Sequence, residues 1–305
     1  MRATWRSRPA GPTPADALSQ RTDGFTGSRN HAQNRAMQQM TPESAPEPAP
    51  ARRSVVFEQP LNERMRSFLR LEFLYQQATY HNDTPTAWSS RAAVSSLLEI
   101  LAITSRGDPK GDVLKDLERQ MALLRDFQNR PGVDTTRLRS VIAKLTQRRD
   151  DLQASSTAAI SKLRESEFLS AIKHRSAIPG GTCEFDLPDY YHWLNLPGAT
   201  RQSDFNRWIG SLRPLCESVS DLLWVTRENA RARTEVATGG SYQLVFERDT
   251  PIQLLRITLP GDTALFPEIS GSHHRCSIRF LSWVDADARP IQAPGDVPFV
   301  LTCCT

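Results

Sequence analysis

Residues 271–280 read GSHHRCSIRF. On a β-strand successive side chains point to opposite faces. One face then carries His274, Cys276, Ile278 and Phe280, and the other carries His273, Arg275, Ser277 and Arg279. The first is a core face. The second sets a histidine and two arginines in a row. Such a row suits an acidic ligand, because a guanidinium holds a carboxylate through two parallel hydrogen bonds. The competing reading is a solvated strand face, which is where most arginines lie.

Two further arginines raise the same choice. Arg106, in TSRGD, closes a helix ahead of Gly107, where a cation in the last turn complements the helix dipole. Arg70, in FLRLEF, sits in a helix that is apolar over much of its girth. A charge there needs a partner, such as Glu72 or an acid from another helix. The run QRRDD at 147–151 reads as a solvated helix face.

Catalytic and metal chemistry finds little support. There is no GxxxxGK[ST], no GxGxxG after a strand, no HExxH and no GxSxG. The glycines of IPGGT precede no clear helix, so they are not expected to cradle a phosphate. His273 and His274 are adjacent, would face opposite ways on a strand, and have no carboxylate nearby in sequence. The five cysteines, Cys183, Cys216, Cys276, Cys303 and Cys304, include no CxxC pair. They are expected to be reduced thiols in a cytosolic protein, with no metal and no cofactor.

The elements that position these residues follow from the hydrophobic pattern. Residues 1–53 are rich in Pro, Ala, Ser and Arg, and are expected to be disordered. Ser54–Phe57 reads as a short strand, and Asn62 caps a helix running to about Tyr80. Its residues Met65, Phe68, Leu69, Leu71, Phe73 and Leu74 predict a central helix packed on more than one side. Further helices are predicted from Thr84-Pro85 to Thr104, from Asp108-Pro109, from Asp134, and from Ser161 to Arg175. A loop follows, with a short extended piece at Thr182–Phe185. Helix resumes near Ser203 and restarts at Pro214. From SYQLVFERD onward the period changes to two, through IQLLRITLP, HRCSIRFLSWVD and PFVLTCC. Helices first and strands last predict an α+β fold with an antiparallel sheet. The expected domains are a leader (1–53), a mainly α-helical domain (54–231) and a β domain (232–305).

The net charge of +4 is compatible with an acidic partner without demanding one. No apolar run serves as a signal peptide core or approaches the ~20 residues needed to span a bilayer. The chain is therefore expected to be cytoplasmic, with no membrane partner.

The segment VVFEQPLNERMRSFLRLEFLYQQ resembles the N-terminal signature of the ZapD family, Z-ring-associated cell-division proteins of Gram-negative bacteria. So do PGVD between two helices, SAIPGGTCEFDLP with YHWL, FPEISG ahead of the basic strand HRCSIRF, and the terminal CC. Together these blocks span roughly residues 54–304. The resemblance implies a non-enzymatic homodimer that binds the C-terminal tail of FtsZ, bundles its protofilaments and stabilises the Z-ring at mid-cell. It places Arg106, Arg275 and Arg279 in the tail pocket, with His273 beside them, and Arg70 on a bundling surface. Two bundling positions depart from the pattern, where Glu167 and Tyr191 stand. The alternative is a nucleic-acid-binding module that uses the basic strand face. An enzyme with a pocket between the domains is a third class, but the sequence offers no titratable cluster for it.

Overall fold

The computed structural model describes residues 54–128, 134–246, 252–271 and 275–305. The reading of residues 1–53 as disordered, and the places of His273 and His274, lie outside the described residues.

Strand β1 (Ser54–Pro60) leads into helix α1 (Glu63–Asn82). The Asn62 side chain accepts a hydrogen bond from the Met65 N–H at 2.8 Å, satisfying one orphan donor of the first turn. Helix α2 (Ala87–Thr104) begins later than Thr84-Pro85, because it is Thr86 whose hydroxyl accepts from the Ser89 N–H. Asp108 caps α3 (Pro109–Phe127) and Asp134 caps α4 (Thr135–Ala154), as the sequence predicts.

The helix expected over 161–175 is two helices, α5 (Thr157–Arg164) and α6 (Glu167–Ser176). Ser166 divides them. Its hydroxyl accepts from the Leu169 N–H and starts a new helix, an outcome serine favours over sitting mid-helix. The extended piece expected at Thr182–Phe185 is a series of turns, with Cys183 N–H donating to the Gly180 carbonyl. Three helices complete this part: the short α7 (Pro188–Leu194), which the sequence reading did not mark, α8 (Gly198–Gly210), which starts earlier than Ser203, and α9 (Arg213–Glu228).

The strands form two antiparallel sheets rather than one. The first has the order β1-β4-β8-β2, with β2 (Ala232–Ala237), β4 (Leu254–Pro260) and β8 (Val297–Cys304). The second has β3 (Ser241–Val245), β6 (Arg275–Ser282) and β5 (Leu265–Gly271) in that order, and the two-residue β7 (Ile291–Gln292) also pairs with β6. Strand β1 lies far from β4 in sequence yet pairs with it along its whole length, from Ser54 opposite Pro260 to Pro60 opposite Leu254.

Alternation along β4 and β8 makes the first sheet the middle layer. Leu255, Ile257, Phe299 and Leu301 pack toward Ile278 and Phe280 of the second sheet. Leu254 and Cys304 pack toward the helices. The seam between helices and sheet is also ionic. Arg227 on α9 donates to both carboxylate oxygens of Glu58 on β1, at 2.8 and 2.7 Å. It donates equally to both oxygens of Glu72 on α1, at 2.8 and 2.7 Å. Arg256 Nε lies 2.9 Å from Glu58, although its N–H is not directed at that carboxylate. QRRDD is not wholly solvated, since Arg148 is half-buried and bonds Asp221 and Glu217 of α9 at 2.8 and 2.5 Å.

Candidate functional site

Helices α1 and α2 pack as a hairpin, and the end of α2 returns toward the first half of α1. Arg70, Phe73 and Leu74 follow one another at helical spacing on α1. Glu99 and Ile103 do so on α2, and Arg106 lies two residues beyond its end rather than in its last turn, its N–H donating to the Ile103 carbonyl at 3.1 Å. These six residues line one cleft of about 400 Å³. Gly107 takes a φ of +81° just beyond the helix, so the chain turns away directly after Arg106.

The partner proposed for Arg70 from sequence is engaged elsewhere, because Glu72 is held by Arg227. Arg70 instead lies exposed. Neither it nor Arg106 has an ion-pair partner among the described residues. Phe73 was expected in the core, but it is 62% exposed and sits on the cleft. The spacing of Phe73 three residues after Arg70 was the available signal, since it puts both on one helix face.

The second basic surface is the outer face of β6. The alternation expected from sequence is present: Cys276, Ile278 and Phe280 are buried, while Arg275 and Arg279 are exposed. Ser277 lies between the arginines, opposite Ser270 on β5 and Gln243 on β3. These small or polar side chains leave a groove of about 550 Å³, bounded by Arg275 and Val245. Arg275 has no ion pair among the described residues. Arg279 is paired with Glu268, its direct neighbour across β5.

The two surfaces are separate cavities joined through α1. Leu61, just before the helix, is buried in the sheet core with Cys276. A Cβ on Gly271 would lie 3.2 Å from the Leu61 side chain, so the head of α1 abuts one end of the β6 groove. Arg70 lies seven residues into α1 from Glu63, about 10 Å along the helix axis at 1.5 Å per residue.

Three of the thiols, Cys216, Cys276 and Cys304, are buried. Burial pushes Cys216 and Cys304 up to about 12 and Cys276 up to about 11, well above the usual thiol range. Among the described residues, no group of three or more His, Cys, Asp or Glu side chains is placed to hold a metal ion. No described helix is long and apolar enough to cross a membrane.

A fold with helices first and antiparallel sheets last, and with two basic clefts, can be set against known proteins. The model of the ZapD family, described as a cell division protein, matches residues 69–279. The cell division protein ZapD of Methylococcus capsulatus is 37% identical over 250 residues, covering 82% of this chain and 98% of that protein. The chain belongs to the ZapD family. The family match spans Arg70, Arg106, Arg275 and Arg279, so both basic surfaces lie within the shared ZapD sequence. A role in cell division follows from membership.

Proposed function

We propose that this ZapD protein binds the C-terminal tail of FtsZ and, as a homodimer, cross-links and bundles FtsZ protofilaments at mid-cell in the cytoplasm. It acts by binding rather than by catalysis, without metal or cofactor. The tail site comprises Arg106, Arg275, Arg279 and His273, and Arg70 contributes to bundling. The observation that carries this reading is the exposed arginine face of β6, with Arg275 unpaired among the described residues beside a groove that Gln243, Val245, Ser270 and Ser277 also line.

The chemistry is modest at each contact. An exposed guanidinium–carboxylate pair contributes roughly 0–1 kcal/mol. Several such pairs and one buried apolar side chain give weak binding to a single tail. A dimer facing a polymer gains about 10²–10⁴ in apparent affinity by engaging two tails at once. Weak single-site binding and strong bundling are therefore compatible.

The test is fluorescence anisotropy of a labelled FtsZ tail peptide with wild-type protein and an Arg275→Glu, Arg279→Glu variant, with folding checked by circular dichroism. Saturable binding that disappears in the folded variant is expected. Equal binding by both proteins would move the site off β6. No binding by wild type would refute the reading.

A further inference from the structure

We propose that a separate cavity, walled by helix ends, binds a phosphate group between Lys110 and Arg164. The site is distinct from both arginine surfaces described above and needs no FtsZ tail. The cavity measures about 170 Å³ and lies where α2 and α4 end and α3 and α5 begin, beside the turn from α8 to α9. Its floor is Leu152 and Leu215, both buried, with Ile160 half-buried beside them. Its rim is polar.

Both cations are fixed in place and still have donors to offer. The Lys110 ammonium donates to the Gln153 carbonyl at 3.2 Å and to the Ser155 carbonyl at 2.8 Å, at the open end of α4. An ammonium has a further donor beyond these. One terminal nitrogen of Arg164 donates to the Thr104 carbonyl and, at 3.1 Å, to the Thr104 hydroxyl, at the end of α2. The other guanidinium nitrogens keep their donors. Neither cation has a carboxylate partner among the described residues. Asp108 lines the same cavity, but its carboxylate accepts from the Gly111 N–H at 3.0 Å as the cap of α3. Two cations and one carboxylate leave the lining with a net charge of +1. Capping the last carbonyls of α2 and α4 explains why cations stand at these positions. It does not explain the space kept between them. Nor does it explain the Thr157 and Ser211 hydroxyls on the rim, which have no hydrogen-bond partner among the described residues.

Shape and charge select the ligand. The donors come from the start of α3, both ends of α5 and the turn after α8, so they surround the space instead of lying in one plane. A tetrahedral phosphate presents oxygens in all these directions, whereas a planar carboxylate is satisfied by a single guanidinium. At about 30 Å³ per water the cavity has room for about five or six waters, the bulk of a phosphate group with at most a small organic substituent. The group belongs either to free inorganic phosphate or to a small phosphomonoester, whose organic part the Leu152 and Leu215 floor would cover.

Isothermal titration calorimetry of the full chain, in phosphate-free buffer at constant ionic strength, tests the site with inorganic phosphate and with glycerol 3-phosphate. Saturable binding is expected, with a higher melting temperature at saturating ligand. Lys110→Gln and Arg164→Gln are each expected to weaken binding about tenfold, and Arg164→Lys less than that. The Arg275→Glu, Arg279→Glu variant is expected to bind like wild type. Tighter binding of inorganic phosphate identifies the free ion as the ligand, and tighter binding of glycerol 3-phosphate identifies a phosphomonoester. Lys110→Gln leaves the Arg164 bonds to Thr104 intact, so it decides the matter should Arg164→Gln fail to fold. No saturable binding and no melting shift with either ligand would overturn the proposal. So would full affinity in both cavity variants, or loss of binding in the β6 variant alone, which would put the anion on the arginine face.

Discussion

At the scale of single residues, the arginine face of β6 shows both what alternation reveals and what it hides. The two-residue period is enough to put Arg275 and Arg279 on one side and Cys276, Ile278 and Phe280 on the other, because a one-residue slip would bury the charges. It does not reveal that Glu268 stands opposite Arg279, since that depends on the register of β5, a strand the period leaves unmarked. The pair is half-exposed, with side-chain exposures of 54% and 52%, so it holds Arg279 only weakly. Glu268 is a carboxylate occupying the guanidinium that an incoming tail would use. Under the tail-binding reading, Glu268→Gln should therefore tighten peptide binding by about two- to fivefold, as expected for release of one exposed ion pair. Anisotropy titration of wild type and variant at equal ionic strength reads the change. Weaker binding in the variant would mean that Glu268 orients Arg279 for the ligand rather than competing for it. Phe73 is the opposite case: its apolar type points to the core, while its helix face, shared with Arg70, points to the cleft.

At the scale of elements, local chemistry was legible wherever it was self-contained. Asn62, Asp108 and Asp134 each mark a helix start, because a capping side chain acts within three residues. The helix expected over 161–175 is divided at Ser166, whose hydroxyl caps α6. Strands β2 and β5 went unseen because edge strands carry charges and proline: ARTEVA holds Arg233 and Glu235, and LFPEISG holds Pro267. What joins the elements was not legible at all. Arg227, Glu58 and Glu72 come from α9, β1 and α1, and nothing in their local sequence marks them as partners. Burial works against the Arg227 charge, yet the hydrogen bonds and charges of Glu72 and Glu58 outweigh it and make the guanidinium more basic than usual. Removing it leaves two partly buried carboxylates facing each other. Arg227→Ala should therefore destabilise the fold by about 3 kcal/mol, within the range for breaking a buried pair. Urea unfolding followed by far-UV circular dichroism measures this. A loss below about 0.5 kcal/mol, the level of an ordinary surface change, would show that the seam is held by its apolar contacts alone.

For the whole molecule, the layered core fixes a pH limit and the two basic surfaces fix a salt limit. Burial raises Cys216 and Cys304 to about 12 and Cys276 to about 11, and raises Tyr75 and Tyr190 to about 12. In the unfolded chain these thiols ionise near pH 8.5 and the phenols near pH 10. The native state therefore holds more protons than the unfolded state above about pH 9, and stability must fall as pH rises there, by about 1.4 kcal/mol per pH unit for each fully shifted group. Thermal melts should show the steep loss between pH 9 and 11, and a melting temperature constant to pH 11 would contradict the burial of these groups. The salt limit tests the mode of action. Raising ionic strength from 0.1 to 1 M shortens the Debye length from about 10 to about 3 Å, weakening every exposed arginine contact. Binding of one peptide loses one set of contacts, whereas cross-linking of two filaments by a dimer loses two sets and the avidity between them. On a logarithmic scale, bundling should fall with salt about twice as steeply as peptide affinity. The two slopes can be measured in the same buffers, by sedimentation and anisotropy. Parallel slopes would mean that a single engaged site suffices to associate filaments, and the dimeric cross-linker would have to be abandoned.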